Sequence, residues 1–175
     1  DLTASKILWF KTHHPALWAQ LHTVLLPHDY LNFWLTGERV AEYGDASGTG
    51  LFDVRTRRWS KTAVDLIDDS GRLWQALPPL KSAECCIGTV RPAAAEKLGL
   101  GPAVRVSTGG GDNMMAAIGS GNIEAGTLTL SLGTSGTLFA WSAAPVTAES
   151  DMIAGFCSST NGWLPLICKI GRAHV

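Results

Sequence analysis

The sequence predicts an α/β protein, and three observations lead to that prediction. Apolar residues recur at helical spacing through much of residues 1–102. From residue 103 the pattern changes to an alternating strand, a run of glycines, a short helix and a hairpin. The chain has 175 residues, of which 46% are hydrophobic, and this is the composition of a globular protein with a substantial core.

The first part of the chain is predicted to be mainly helical. One helix is expected around Ile7 and ends near Pro15, and the helical spacing continues over residues 17–25. The next helix has Asp29 as a cap at its start and Gly37 as its stop. Its apolar face is expected to consist of Tyr30, Leu31, Trp34 and Leu35.

Shorter elements follow, and their order suggests two domains. They are a strand at 51–54, helices over 60–77 that are interrupted at Gly71, a strand at 87–90, a helix at 92–98, a strand after 103, a helix after 111, and a hairpin around the turn G-T-S-G at 133–136. The change of character near residues 98–103 predicts a boundary that separates residues 1–102 from residues 103–169.

Charge and cysteine content limit the partners and the compartment. The net charge of −1 gives no electrostatic reason to expect nucleic acid or an anionic membrane as a partner. No apolar run approaches the roughly 20 residues that span a bilayer. The cysteines are predicted to be reduced, buried thiols of a cytoplasmic protein, and they are Cys85, Cys86, Cys157 and Cys168.

The two ends of the sequence look unlike native termini. The chain starts at Asp1 in mid-pattern, without a signal peptide. It ends I-G-R-A-H-V at 170–175, and the codons ATC-GGA-AGA-GCA-CAC-GTC for this string resemble a sequencing adapter. We therefore expect residues 170–175 to be an adapter-derived tail, with a genuine C-terminal tail as the alternative.

The stretch G-G-G-D-N-M at 109–114 delivers a carboxylate to the start of a helix. The first N–H groups of a helix are open, and its dipole adds partial positive charge there, so Asp112 would be well placed as a carboxylate that accepts a proton or orients a hydroxyl. Because glycine lacks Cβ, Gly110 and Gly111 would let substrate approach the backbone closely. The alternative is that Asp112 only caps the helix.

The turn G-T-S-G at 133–136 is a second candidate site. Two glycines flank two hydroxyl side chains, and such turns can present backbone N–H groups to an anion such as phosphate. An ordinary hairpin loop would have the same composition. Together with Asp112, a phosphate-binding turn suits phosphoryl transfer to a hydroxyl, in which the enzyme mainly aligns the reactants and manages charge.

Other familiar site motifs do not occur. There is no G-x-x-x-x-G-K-[ST], and the glycine run lacks the last glycine of G-x-G-x-x-G. No metal site is predicted, because the histidines of the helical region lack H-E-x-x-H spacing or paired carboxylates. These histidines are His13, His14, His22 and His28.

Several stretches resemble the FGGY family of carbohydrate kinases. They are T-A-S-K-I-L-W-F-K-T-H at 3–13, L-L-P-H-D-Y-L-N-F-W-L-T-G-E at 25–38, D-A-S-G-T-G-L-F-D-V-R-T-R-R-W-S at 45–60, the glycine-rich segment at 109–122 and S-L-G-T-S-G-T-L-F-A-W at 131–141. One departure stands out, since His28 occupies a position where lysine is commoner in the family. Within the family the chain is most similar to kinases that phosphorylate D-xylulose.

The resemblance implies actin-like, ribonuclease-H-like ATPase domains, with this chain spanning the end of the first domain and the start of the second. It implies that Asp112 is the catalytic base and that Gly110, Gly111 and Asn113 lie next to the reacting groups. It also implies a phosphate-binding turn that comprises Gly133, Thr134, Ser135 and Gly136. ATP and Mg²⁺ would be required.

The function implied is ATP-dependent phosphorylation of D-xylulose to D-xylulose 5-phosphate. The chain by itself is expected to be inactive, because other parts of the family's cleft are absent from it. Three alternatives stay open: a kinase for ribulose, glycerol or another polyol, an actin-like ATPase switch without a sugar, and a non-enzymatic α/β module. The oligomeric state also stays open, including a homodimer of the full-length protein.

Overall fold

The computed structural model describes residues 2–101, 103–133, 135–146 and 153–170. The helices are Thr3–His13 (α1), Pro15–Trp18 (α2), Pro27–Thr36 (α3), Tyr43–Ser47 (α4), Lys61–Asp65 (α5), Arg72–Ala76 (α6), Pro92–Leu98 (α7) and Asp112–Gly119 (α8). The strands are Ala41–Glu42 (β1), Phe52–Asp53 (β2), Arg58–Trp59 (β3), Leu80–Lys81 (β4), Cys86–Thr89 (β5), Arg105–Ser107 (β6), Leu128–Leu132 (β7), Ser135–Ala140 (β8) and Leu166–Ile170 (β9). Helices and strands mix along the chain, as predicted.

The strands of the described residues form four small sheets. β1 pairs with β4 in parallel, whereas β2–β3 and β5–β6 are antiparallel pairs. β7, β8 and β9 form an antiparallel sheet in that order. Strand β6 therefore pairs with a strand on the other side of the predicted domain boundary, and the boundary itself stays a prediction.

Three apolar clusters hold these elements together. In the first, Ile7 of α1 and Trp18 of α2 pack with residues of the 51–73 region, which are Leu51, Val64 and Leu73. In the second, α8 packs on the sheet through Met114 and Ala117, which contact Phe139, Leu164 and Leu166. The third consists of Val90, Ala94 and Ala95, with Trp34, Leu35 and Val106 packed against it.

The predicted helix over 17–25 is wrong for most of its length. Helix α2 ends at Trp18, and the segment that leads to α3 has no helical hydrogen bonds after its first residues. The N–H of Val24 instead donates to the carbonyl of Ala76 at 2.9 Å. Because Leu21 and Val24 pack against the first apolar cluster, tertiary contact replaces the helix that their spacing suggested.

Helix α3 has the predicted stop but not the predicted start or buried face. It begins at Pro27, and Asp29 lies in its first turn, where Oδ2 accepts from the N–H of Leu26 at 3.3 Å. It ends at Gly37, whose φ of 87° is the left-handed conformation of a helix C-cap. Tyr30 and Leu31 are more than half exposed, whereas Asp29 and Asn32 are buried. A polar face is buried because it contacts the region of the glycine run, as described below.

The hairpin turn is tighter than predicted. Leu132 pairs with Gly136, and Ser135 and Gly136 already belong to strand β8. Thr134 lies outside the described residues, as do residues 171–175 of the expected tail. Ile170, the first residue of that tail, ends strand β9.

The cysteines are all free, but the prediction that they are buried holds only for Cys157. Cys85 is partly buried, and Cys86 and Cys168 are exposed. Among the described residues, no helix is both long enough and apolar enough to cross a membrane.

Asn122 joins the end of α8 to the hairpin. Its buried side chain donates to Thr129 Oγ1 and to the carbonyl of Phe139, and accepts from the N–H of Trp141, each at 3.0 Å. These bonds satisfy two backbone groups at the end of β8 and the hydroxyl of Thr129 in β7, and so fix the helix against the sheet.

Replacement of Asn122 by alanine should lower the free energy of unfolding by about 2–3 kcal/mol, because it leaves buried backbone groups unpaired. Ser120→Ala is the matched control, since exposed Ser120 also contacts Thr129 and its loss should change stability by less than about 0.5 kcal/mol. Urea unfolding of both variants measures the difference. Equal losses in the free energy of unfolding of the two variants would show that the Asn122 side chain does not hold α8 against the hairpin.

Candidate active site

Asp112 is the first residue of α8 and its side chain is exposed. Its Oδ1 accepts a hydrogen bond from the N–H of Asn113 at 2.7 Å. This is the sole hydrogen bond to the Asp112 carboxylate among the described residues, so the other oxygen is open to a substrate. The helix start favours negative charge at this point. Asp112 therefore bonds one N–H of the helix start and keeps an accessible carboxylate oxygen.

The glycines before Asp112 are needed for packing within the chain. Gly109 has a φ of 73°, which favours glycine. A Cβ on Gly110 would lie 2.3 Å from Ser159 Oγ and 2.8 Å from Met115 Cε. On Gly111 it would lie 3.3 Å from Asp45 Oδ1. The space expected for substrate on that side is thus filled by side chains of this protein, and a substrate would meet the opposite side of the backbone.

Backbone hydrogen bonds anchor the start of this turn, which we call the glycine turn (residues 109–111). The carbonyl of buried Thr108 accepts from Asn32 Nδ2 of α3 at 2.7 Å. The N–H groups of Thr108 and Gly109 donate to the carbonyls of Cys85 and Ala83, each at 2.9 Å. The buried polar face of α3 therefore holds the strand that leads to Asp112.

A cluster of charged side chains borders the glycine turn. His28 Nδ1 lies 3.5 Å from Asp29 Oδ1 and 3.5 Å from Asp45 Oδ2. Interaction with Asp29 and then with Asp45 raises the pKa of His28 to about 10, against the opposing effect of burial. Burial raises the pKa of Asp29, and the neighbouring imidazole opposes that rise. We call these three residues the histidine cluster.

The histidine cluster is also the place where a metal ion could be held within the described part of the chain. Its three candidate ligand atoms lie within 4.8 Å of one another. The sequence prediction of no metal site rested on the absence of paired carboxylates around the histidines. Folding brings two carboxylates to His28, and they belong to Asp29, the next residue, and to Asp45 of α4. Spacing along the chain did not indicate that either carboxylate would pair with this histidine.

Glu42 supports the cluster from strand β1. Its side chain is fully buried, and Oε2 accepts from the N–H of Asp45 at 3.0 Å. Burial raises the pKa of Glu42 to about 7, although the backbone N–H groups of Gly44 and Asp45 oppose the rise. Glu42 thus fixes the residue that faces both His28 and the glycine turn. No sequence pattern led to Glu42, Asp45 or Ser159 as candidate site residues. For Asp45, the glycine-rich D-A-S-G-T-G segment that begins with it could have indicated a role.

The turn at 133–136 lies on the same packed unit as Asp112. Met114 of α8 packs against Phe139 of β8, the strand that contains Gly136. No hydrogen bond or ion pair between described residues joins Asp112 to Gly133 or Gly136. The structure brings together Gly110, Gly111, Asp112 and Asn113 on one continuous turn, and the phosphate-binding role of Gly133–Gly136 stays a prediction.

The fold places the chain in a class of known proteins. The crystal structure of xylulose kinase from Rhodospirillum rubrum superposes on this chain with a TM-score of 0.87 and 26% identity. The match covers 98% of this chain and 34% of that protein. This match confirms the α/β, actin-like fold that the sequence resemblance implied.

The sequence identifies the family. Residues 2–119 match the model of the FGGY family of carbohydrate kinases, N-terminal domain, and the chain belongs to this family. It is 51% identical to the xylulose kinase of Haemophilus influenzae over 166 residues, which are 95% of this chain and 34% of that protein. Identity to the xylulose kinase of Klebsiella pneumoniae is 39%, over 91% of this chain and 32% of that protein. The chain therefore spans about a third of the length of these relatives.

Gly110→Ala should lower the free energy of unfolding by about 1–3 kcal/mol, because its Cβ overlaps Ser159 Oγ. Ser159→Ala in the same protein removes the nearest atom and should recover part of the loss. In the control Gly119→Ala, a Cβ has nothing within 4 Å and the helix should gain up to about 1 kcal/mol. Urea unfolding that shows equal effects at both glycines would contradict the packing argument.

Ionisation of Glu42 should lower stability as the pH rises from 4.5 to about 7, because its folded-state pKa is raised above the unfolded value. The loss should reach up to about 3 kcal/mol at the upper end of this range. Glu42→Gln cannot ionise, so its stability should depend less on pH in this window, whereas exposed Glu124→Gln should follow the parent protein. Urea unfolding between pH 4.5 and 8 measures this, and parallel curves for all three proteins would refute it.

Proposed function

We propose that the full-length protein carrying this segment is a kinase that phosphorylates D-xylulose to D-xylulose 5-phosphate with ATP. The observation that carries the proposal is the exposed carboxylate of Asp112 at the start of α8, directly after the glycine turn. Membership of the FGGY family supports sugar phosphorylation in general. The 51% identity to a xylulose kinase supports D-xylulose in particular.

Asp112 would act as the base. The terminal hydroxyl of the sugar donates its proton to the open carboxylate oxygen while its own oxygen forms a bond to the γ-phosphorus of ATP. The bond from that phosphorus to the oxygen of ADP breaks, so the products are the sugar phosphate, ADP and a proton. In such a transfer the base accepts the proton late, and its main contribution is to orient the hydroxyl.

The neighbouring residues would position the two substrates. Gly110, Gly111 and Asn113 would line the sugar side of Asp112 through their open backbone and, for Asn113, through its amide. The turn at Gly133–Gly136 would bind phosphate oxygens through backbone N–H groups and through the hydroxyls of Thr134 and Ser135. The hairpin rests on α8 through Phe139 and Asn122, and this packing supports a fixed relation between base and turn.

Mg²⁺ would accompany ATP and neutralise charge on the phosphate groups, as it does in phosphoryl transfer generally. The open oxygen of Asp112 is assigned to the sugar hydroxyl, so no side chain of the described residues is assigned to the ion.

Replacement of Asp112 by asparagine in the full-length protein should lower kcat for D-xylulose-dependent ADP release by about 10²–10⁴-fold. Asparagine retains a side-chain oxygen for the N–H of Asn113, so the helix start should stay intact. Asp69→Asn, at an exposed position, is the matched control and should keep full activity. Retained activity in the Asp112 variant would exclude this residue as the base.

The same assay over D-xylulose, D-ribulose and glycerol tests the substrate. D-xylulose should give the highest kcat/KM. Preference for another of these alcohols would replace D-xylulose within the same reaction class. ADP release that is independent of every sugar would refute the kinase and favour an actin-like ATPase switch.

A further inference from the structure

His28 is in an unusual place for a cation. It is the second residue of α3, where the helix dipole disfavours positive charge. Its Nδ1 nevertheless lies at equal distances, 3.5 Å, from one oxygen of Asp29 and one of Asp45. These two carboxylates belong to different helices, so the imidazole joins α3 to α4. These two carboxylates, both next to Nδ1, offset the unfavourable dipole.

The other side of the imidazole faces the glycine turn. A Cβ on Gly109 would lie 3.1 Å from His28 Nε2, so the ring packs directly against the backbone there. Asp45 Oδ1 occupies the corresponding place at the other end of the turn, 3.3 Å from the Cβ position of Gly111. His28 and Asp45 therefore border both ends of the three-residue segment that leads to Asp112.

The carboxylates around His28 favour a cation at this point. Asp29 faces it from α3 and Asp45 from α4, while Glu42 of β1 lies behind Asp45 and acts on His28 through its charge. Asp29 and Glu42 are almost completely buried. Without a positive group, carboxylates would be held together with little solvent, and this arrangement is unfavourable. A neutral imidazole would thus loosen the contact between α3, α4 and the turn.

We propose that His28 is a positioning residue of the phosphoryl-transfer site: as an imidazolium shared by Asp29 and Asp45, it fixes the glycine turn and through it the place of Asp112. The proposal rests on the proposed function of Asp112. His28 does not itself contact the reacting groups. Its charge is needed because it holds α4 and the turn in register, and a displacement of about 1 Å at a reacting group can cost about 10²-fold in rate.

Two variants of the full-length protein separate charge from shape. His28→Lys keeps a cation, and lysine is the commoner residue here in the family. His28→Gln keeps a polar side chain of similar reach without the charge. His22→Gln is the matched control, since exposed His22 contacts Thr23 and lies away from the turn.

We expect His28→Gln to lower kcat by about 10–100-fold with less than about a threefold change in KM, since the loss is one of alignment. His28→Lys should stay within about threefold of the parent protein, as His22→Gln should. Unchanged kcat in His28→Gln, or equal damage in a folded His28→Lys, would overturn the proposal.

Hydrogen exchange at Thr108–Asn113 gives a readout that does not need turnover. At the same pH, His28→Gln should exchange these amides at least about tenfold faster than the parent protein or His28→Lys, because the turn opens more often. Faster exchange in an enzyme that phosphorylates no sugar would refute the proposed function while supporting the role of His28 in the turn. Exchange equal to that of the parent would overturn the inference about His28, whatever the activity.

If His28→Gln does not fold, Asp45→Asn tests the same ion pair from the side of α4. This variant keeps the shape of the side chain and removes its charge, so the amides of the turn should exchange faster than in the parent protein. Exchange equal to that of the parent would overturn the proposal.

Discussion

The close packing of the glycine turn is the constraint on which the rest of the site depends. Side chains from three parts of the chain meet where a Cβ would otherwise be, and they are His28, Asp45 and Ser159. The turn can approach them because residues 109–111 lack side chains. Such contact leaves the backbone little freedom to move, so the helix that begins at Asp112 has a defined start. Placement of the Asp112 carboxylate is thus a consequence of packing between the glycine turn and side chains of distant segments.

Electrostatics and packing act together around this turn. Glu42 and Asp29 are buried acids, and each would be unfavourable if it were isolated. Glu42 bonds the N–H of Asp45, and His28 pairs with both Asp29 and Asp45. The stability gained is modest, since ion pairs of this kind largely repay their desolvation. Their effect is to specify one arrangement of α3, α4 and the turn, and an active site benefits from such a specification.

The hairpin of β7 and β8 is the other part of the candidate site, and one of its two faces packs against α8. Its inner face packs on α8 through Phe139, and Asn122 ties both strands to the end of that helix. Leucines of β7 stay largely exposed on the other face, and they are Leu128, Leu130 and Leu132.

The sequence by itself determined the class of fold, the helix at 92–98, the stop of α3 at Gly37 and the position of Asp112 at a helix start. These follow from local chemistry: prolines at helix starts, glycines at their ends and the spacing of apolar residues. Only the tertiary structure decided that residues 21–26 are not helical, that α3 buries Asp29 and Asn32, and that His28 meets Asp45. Such contacts join residues far apart in the chain, and their energies depend on burial and on distances that no local pattern encodes. The reason for the glycines was decided there too, because the atoms that would clash with a Cβ belong to distant segments.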